Sequence, residues 1–233
     1  MTTDLLRLEL ETLWETDGAG RLVATRSRVV SAAPVLVVAA GQGALVWETS
    51  AEVGPAERDA LAACLERRGV AASAPAPGWA PALADELIAE LAARRPVRPA
   101  VGGPSYLFDR PLEAPAGFEL RSSTDRDADE VTARLPAADR DLTAPWVIAL
   151  ITDEPAAVCM TARSTLRAVE PGVWTYEPHR RQRLGAALTA AWSSLVADRT
   201  AFYSTGWDNV ASQGVARRLG LRPIGQWWQV YPG

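Results

Sequence analysis

The sequence predicts an α/β chain of the α+β kind, in which a mixed sheet is flanked by helices and preceded by a smaller α+β part. Three observations predict this. Short runs of β-branched and aromatic residues alternate with stretches whose leucines recur every three or four residues. Two runs, Trp146 to Ile151 and Ala156 to Arg163, are separated only by Thr152-Asp153-Glu154-Pro155, so part of the sheet is an antiparallel hairpin. The clearest amphipathic stripe, Leu184, Leu188, Trp192 and Leu195, follows directly on a strand run, Val173 to Thr175, that Pro178 closes.

Taken in order, Thr3 to Glu15 reads as a helix on Leu5, Leu6, Leu8, Leu10, Leu13 and Trp14, ended by Asp17-Gly18. Val35 to Ala39 and Ala44 to Thr49 read as a hairpin across Gly41-Gln42-Gly43. Gly54-Pro55 precedes a helix from Ala56 to Arg68, stopped by Gly69, and Ala71 to Gly78 is an Ala/Pro loop. Pro81 suits the start of a helix that runs to Arg94 on Leu83, Leu87, Ile88 and Leu91. Arg95 to Pro104 is rich in proline and glycine, and Tyr106 to Phe108 reads as a strand. The expected division is therefore 1–99, an N-terminal α+β subdomain without a catalytic motif, read as a packing or lid subdomain; 100–117, a linker or bridging strand; and 118–233, the main domain. In the last part Phe118 to Arg121 is a strand, Asp125 to Leu135 a helix and Ala201 to Thr205 a strand. Asn209 to Leu219 is a helix capped by Asp208 or Asn209 and stopped by Gly220, and Ile224 to Tyr231 is the final strand.

Composition narrows the function. With 233 residues, 48% apolar and 22% charged, the chain has material for a sizeable core. Its net charge of −4 and the lack of basic–aromatic interleaving argue against a nucleic-acid partner. All 24 basic residues are arginine, and Cys64 and Cys159 lie far apart without a Cys/His cluster, so neither a disulfide framework nor a metal site is expected. No charged N-terminal segment leads into an apolar run, and no apolar stretch approaches membrane-spanning length; the expected location is cytoplasmic, without a membrane partner.

The stretch from Glu170 to Leu195 carries the strongest chemical signal. The helix is expected to start near His179 to Arg181, so Arg180, Arg181 and Arg183 crowd its first turn, where the positive end of the dipole disfavours cations. An anion held by the arginines and by the unpaired first-turn N–H groups offsets that repulsion. Gly185, Ala186 and Ala187 keep the next turn slim enough for a ligand to approach the backbone. A solvated arginine cluster over a closely packed helix is the plainer alternative.

The segment Arg180-Arg181-Gln182-Arg183-Leu184-Gly185 resembles the acetyl-CoA signature of the GNAT acyl-CoA N-acyltransferase superfamily, Gln/Arg-x-x-Gly-x-Gly/Ala, with Arg183 in place of the first glycine. Tyr203 to Gly225 is similar to the strand and the Asn-x-x-Ala/Ser helix that follow it in that family, with Asn209 and Ser212 at the matching positions. The two ordered matches cover about the last half of the chain. The resemblance implies a GNAT-like mixed sheet and transfer of an acetyl or other acyl group from CoA to a primary amine. It implies backbone pairing of Val173, Trp174 and Thr175 with the pantetheine arm. It also implies a diphosphate held by the amides of Arg181 to Ala186, Gln182 and Leu184 included, with Arg180 or Arg181 beside it, and Asn209 and Ser212 next to the pantetheine. Acetyl-CoA is then the co-substrate, with no metal; the acceptor and a homodimer are left open.

Acyl transfer needs a neutral amine, a stabilised oxyanion and a protonated leaving thiolate. Relatives carry a glutamate before the central strand, which points to Glu170 as the base, with Glu177 and Asp208 as weaker candidates. The family's acid tyrosine falls on Ala216, so Tyr203 and Ser212 are the substitutes, although a thiolate also leaves unaided. His179 reads as a loop residue or CoA contact, and Cys159 as a core thiol. Trp146, Trp174 and Trp207 either wall an acceptor pocket or fill the core. The competing functional reading is a catalytically degenerate CoA-binding sensor or interaction protein of the same fold.

Overall fold

The computed structural model describes residues 2–26, 32–41, 44–67 and 79–233. The expected turn residues Gln42 and Gly43, the helix stop at Gly69 and the loop from Ala71 to Gly78 lie outside the described residues. The chain forms two compact units. The first comprises Met1–Tyr106, Ser204–Asn209 and Pro223–Gly233, and the second Leu107–Tyr203 and Val210–Arg222.

The first unit holds α1 (Thr2–Leu13), β1 (Trp14–Thr16), β2 (Leu22–Thr25), β3 (Leu36–Gly41), β4 (Ala44–Thr49), α2 (Pro55–Arg67), α3 (Trp79–Ala92) and most of β5 (Val101–Leu107). Its core follows from the two-residue period of β3. Leu36, Val38 and Ala40 pack with Leu61 and Cys64 of α2 and Leu87 and Leu91 of α3. Val37 and Ala39 pack with Leu6, Leu10 and Leu13 of α1. The antiparallel β3–β4 register sets Val38 opposite Trp47. Helix α1 stops two residues short of the expected Glu15, because Trp14 and Glu15 pair with Thr25 and Ala24 of β2. β5 begins inside the stretch read as a linker, since the glycines there allow close backbone approach. A Cβ on Gly102 would meet the Trp227 backbone, and one on Gly103 the Thr205 backbone.

The second unit contains β6 (Glu119–Ser122), α4 (Ala128–Ala133), β7 (Trp146–Ile151), β8 (Glu154–Ser164), β9 (Ala168–Thr175), α5 (Leu184–Leu195), β10 (Thr200–Ser204, all but its last residue) and α6 (Val210–Arg218). The final strand, β11 (Arg222–Val230), returns to the first unit, where Trp228 lies opposite Val38 of β3. Within the second unit the strand order is β10-β9-β8-β7-β6. β6 to β9 are antiparallel, and β10 runs parallel to β9. The β7–β8 hairpin turns on Thr152 and Asp153 alone, both left-handed (φ 53° and 64°), so Glu154 and Pro155 already belong to the strand.

Alternation along β7 divides the core. Trp146, Ile148 and Leu150 pack with Val131 and Leu135 on one face, which makes Trp146 a core residue. Helix α5 lies across β7, β8 and β9 and buries Leu184, Leu188 and Trp192, as the sequence stripe requires. The Trp192 indole donates to Thr161 Oγ1 (3.2 Å), and its ring lies 6.2 Å from that of Phe108. Trp192→Ala therefore removes a fully buried ring and its polar anchor together. The expected loss is about 3–5 kcal/mol, read as a lower midpoint in denaturant unfolding; a change under about 1 kcal/mol would contradict this packing.

Candidate functional site

β9 is paired along its length on one side only. On the β8 side, Val173, Trp174 and Thr175 lie opposite Cys159, Val158 and Ala157. On the β10 side the parallel register covers only Ala168 and Val169, opposite Thr200 and Ala201. The strands separate beyond that point. Beyond Val169 no described strand takes up this side of β9; Pro171 has no N–H to offer there, and the backbone from Val173 to Thr175 is left to present N–H and C=O groups, the arrangement that accepts an added extended chain.

The chain leaves β9 through a 3₁₀ turn, Glu177–His179, with Pro178 in its first positions. It does not enter α5 at residues 179–181, as the sequence suggested. Arg180 is extended (φ −62°, ψ 157°), and Arg181 and Arg183 are left-handed, each with φ 67°. A left-handed residue cannot continue an α-helix, so α5 starts at Leu184 with Arg183 as its N-cap (ψ 12°). The first intrahelical bond runs from the Ala187 N–H to the Arg183 carbonyl (3.3 Å). The amides of Leu184, Gly185 and Ala186 precede that ladder and have no intrahelical acceptor. Left-handed turns of this kind gather N–H groups into an anion-binding concavity.

These features border a cavity of about 570 Å³. Val173, Trp174 and Thr175 of β9 form one wall, and Leu184, Gly185 and Ala186 of α5 another. The turn contributes His179, Arg180, Arg181 and Arg183, and α6 contributes Ala211, Gly214, Val215 and Arg218. No carboxylate lines it, and none of its four arginines is ion-paired among the described residues. Gly185 stands between two walls: a Cβ there would lie 3.4 Å from a Val215 methyl and 3.8 Å from a Val173 methyl. A methyl group fits, and a large side chain would fill the space.

Other expected site residues lie away from this lining. Gln182 belongs to the turn but does not line the cavity, and Asn209, whose N–H bonds the Gly206 carbonyl (3.2 Å), directly precedes α6. Ser212 Oγ and the Tyr203 hydroxyl are hydrogen-bonded at 2.7 Å, one turn of α6 from Gly214 and Val215. Tyr203, on β10, is buried, and so is Ala216 of α6. Glu170 is buried on β9, where the Arg163 guanidinium donates to its carboxylate. Trp207 is half-exposed, and Asp208 and Glu177 are exposed. Burial pushes the Cys159 thiol up, as suits a core cysteine. Among the described residues no group of three or more His, Cys, Asp or Glu could hold a metal, and no helix is long and apolar enough to cross a membrane.

Sequence reasoning missed the α6 wall. Ala211, Gly214, Val215 and Arg218 are spaced i, i+3, i+4 and i+7, the signature of a single helical face. Tyr176, which follows β9, lies outside the lining and packs against the core cluster around Trp146. The phenol donates to Asp139 Oδ2 (2.8 Å), and burial followed by that bond pushes it up to about 12, so it stays protonated near neutrality and serves as a donor.

The left-handed arginines give this turn a measurable character. Each costs about 1 kcal/mol or more relative to glycine in that conformation, offset in part by the larger chain entropy that glycine loses on folding. Arg183→Gly should leave thermal stability unchanged or raise it by up to about 1 kcal/mol. A clear loss of stability would show that the Arg183 side chain holds the turn together.

No family model matches the sequence, and no curated protein does. Solved structures are similar to it. A GNAT-family protein from Novosphingobium aromaticivorans gives a TM-score of 0.45 at 17% identity, covering 59% of this chain and 67% of that one. A GCN5-related N-acetyltransferase-like protein from Streptococcus suis gives 0.42 at 18% identity, over 64% and 68%. A GCN5-related N-acetyltransferase from Kribbella flavida gives 0.42 at 19%, over 63% of this chain and 64% of that one.

Proposed function

We propose that this chain is an N-acyltransferase that moves an acetyl or other acyl group from a CoA thioester to a primary amine by direct attack. The observation that carries the reading is the open edge of β9 ending at a turn rich in unpaired donors. An extended arm with amide groups can pair with Val173 to Thr175 as a missing strand would. Its phosphates then reach the amides of Leu184 to Ala186 and the guanidinium groups of Arg180, Arg181 and Arg183. Acyl-CoA has both parts, an amide-bearing arm and a diphosphate, and it supplies the activated acyl group.

In this scheme an N–H of the open β9 edge holds the negative charge that develops on the carbonyl oxygen during attack. Glu170 takes the proton that the amine loses. Because it is buried and paired with Arg163, it acts through water rather than by contact. The Ser212–Tyr203 hydroxyl pair returns a proton to the leaving sulfur, Ser212 donating and Tyr203 replenishing it. The bond broken is carbonyl carbon to sulfur, and the bond formed is carbonyl carbon to nitrogen. Asn209 supports the start of the helix that carries Ser212. A protein of this kind works in the cytoplasm with acyl-CoA and an amine as its partners.

A second reading, binding without turnover, is favoured by Ala216, which leaves the family's tyrosine position with a buried methyl group. Release of free thiol from acetyl-CoA, followed across a panel of primary amines, separates the two. Amine-dependent release supports the transferase; binding with no release for any amine favours the sensor. Gly185→Trp should abolish acetyl-CoA binding in a protein that still folds, and unchanged affinity would remove the site assignment. Glu170→Gln should lower turnover about 10²-fold or more with little change in affinity. Full activity across the pH range would remove Glu170 from the proton path.

A further inference from the structure

The cavity holds more positive charge than a diphosphate needs. Arg180, Arg181 and Arg183 come from the turn, whereas Arg218 comes from the last turn of α6. Arg218 follows Ala211 by seven residues, so the α6 wall extends about 10 Å along the helix axis. Ala211, next to Ser212 in sequence, is at the start of that wall and Arg218 at its far end. Arg217, next to it in sequence, is exposed as Arg218 is, but does not line the cavity. Both arginines complement the C-terminal end of the helix dipole, which is a structural role they share. Facing the cavity is what separates them.

Resting on the acyl-CoA reading, we infer that Arg218 is a specificity residue that recognises a phosphomonoester of the donor, separate from the diphosphate at the turn. Charge supports the assignment. A phosphomonoester carries about −1.5 to −2 near neutral pH, and a diphosphate linkage adds about one charge per phosphorus. Four guanidinium groups without a carboxylate among them match that total, whereas a diphosphate alone would leave cations crowded and unbalanced. A guanidinium also offers a paired-donor face to phosphate oxygens. The end of the cavity remote from the Ser212–Tyr203 pair thereby selects the donor without touching the reacting atoms.

The test uses the full chain and calorimetric titration at low salt with CoA and with 3′-dephospho-CoA. Wild type should bind CoA about tenfold or more tightly than 3′-dephospho-CoA. Arg218→Ala should bring that ratio close to one by weakening CoA while leaving 3′-dephospho-CoA unchanged, and Arg217→Ala should keep the wild-type ratio. Equal wild-type affinities for the two ligands would overturn the inference and leave the acyl-CoA site standing. Equal effects of Arg217→Ala and Arg218→Ala would also overturn it, because general electrostatics would then explain the preference. If wild type binds neither ligand, the acyl-CoA reading itself fails and the inference fails with it.

Discussion

The turn between β9 and α5 has to reverse the chain while leaving three backbone amides at the front of the helix without acceptors. It does so through Arg181 and Arg183, both left-handed at φ 67°. Bulky side chains in that conformation cost free energy, and stacking arginines against a helix N-terminus costs more. Both penalties fall if an anion sits in the turn, because the amides and the guanidinium groups then share one partner. The open edge of β9 and the four arginines of the cavity, none of them ion-paired among the described residues, are consistent with that single constraint.

The turn is held in place by ordinary packing. Leu184, Leu188 and Trp192 fix one face of α5 against the sheet, and the Trp192–Thr161 bond ties the helix to β8. Trp146, Ile148 and Leu150, on one face of β7, bury against Val131 and Leu135. Each of these side chains contributes about 1.5–3 kcal/mol of burial, enough in sum to hold a strained turn of a few kcal/mol. α6 ends in a Schellman motif: Gly220 is left-handed (φ 63°), with Leu221 N–H bonding the Ala216 carbonyl and Gly220 N–H that of Arg217. That cap fixes the direction of the last turn, which carries Arg218.

Much of this was legible in residue spacing, and the rest depended on pairing between distant segments. The stripe on α5 and the glycine stop of α6 follow from local rules, and the structure shows both. Arginine carries no signal for a left-handed backbone, so the first turn of α5 was placed too early. The length of β9 and its parting from β10 depend on which strands pair, which periodicity cannot reveal. The return of β11 to the first unit is also a long-range pairing, so contacts group the chain differently from a linear division at residues 99 and 117. The face of α6 that carries Arg218 was readable at i, i+3, i+4 and i+7, but its residues are small or charged, and only the cavity they border gives that spacing a meaning.

The central claim is that one cradle, made of the β9 edge and the turn into α5, receives the acyl donor. Backbone amide NMR of the ¹⁵N-labelled protein, titrated with acetyl-CoA, tests it directly. The account predicts that the largest shifts fall on Val173 to Thr175 and Arg181 to Ala186 and saturate together. Saturable shifts confined to other residues, or no shifts in a folded protein, would contradict it.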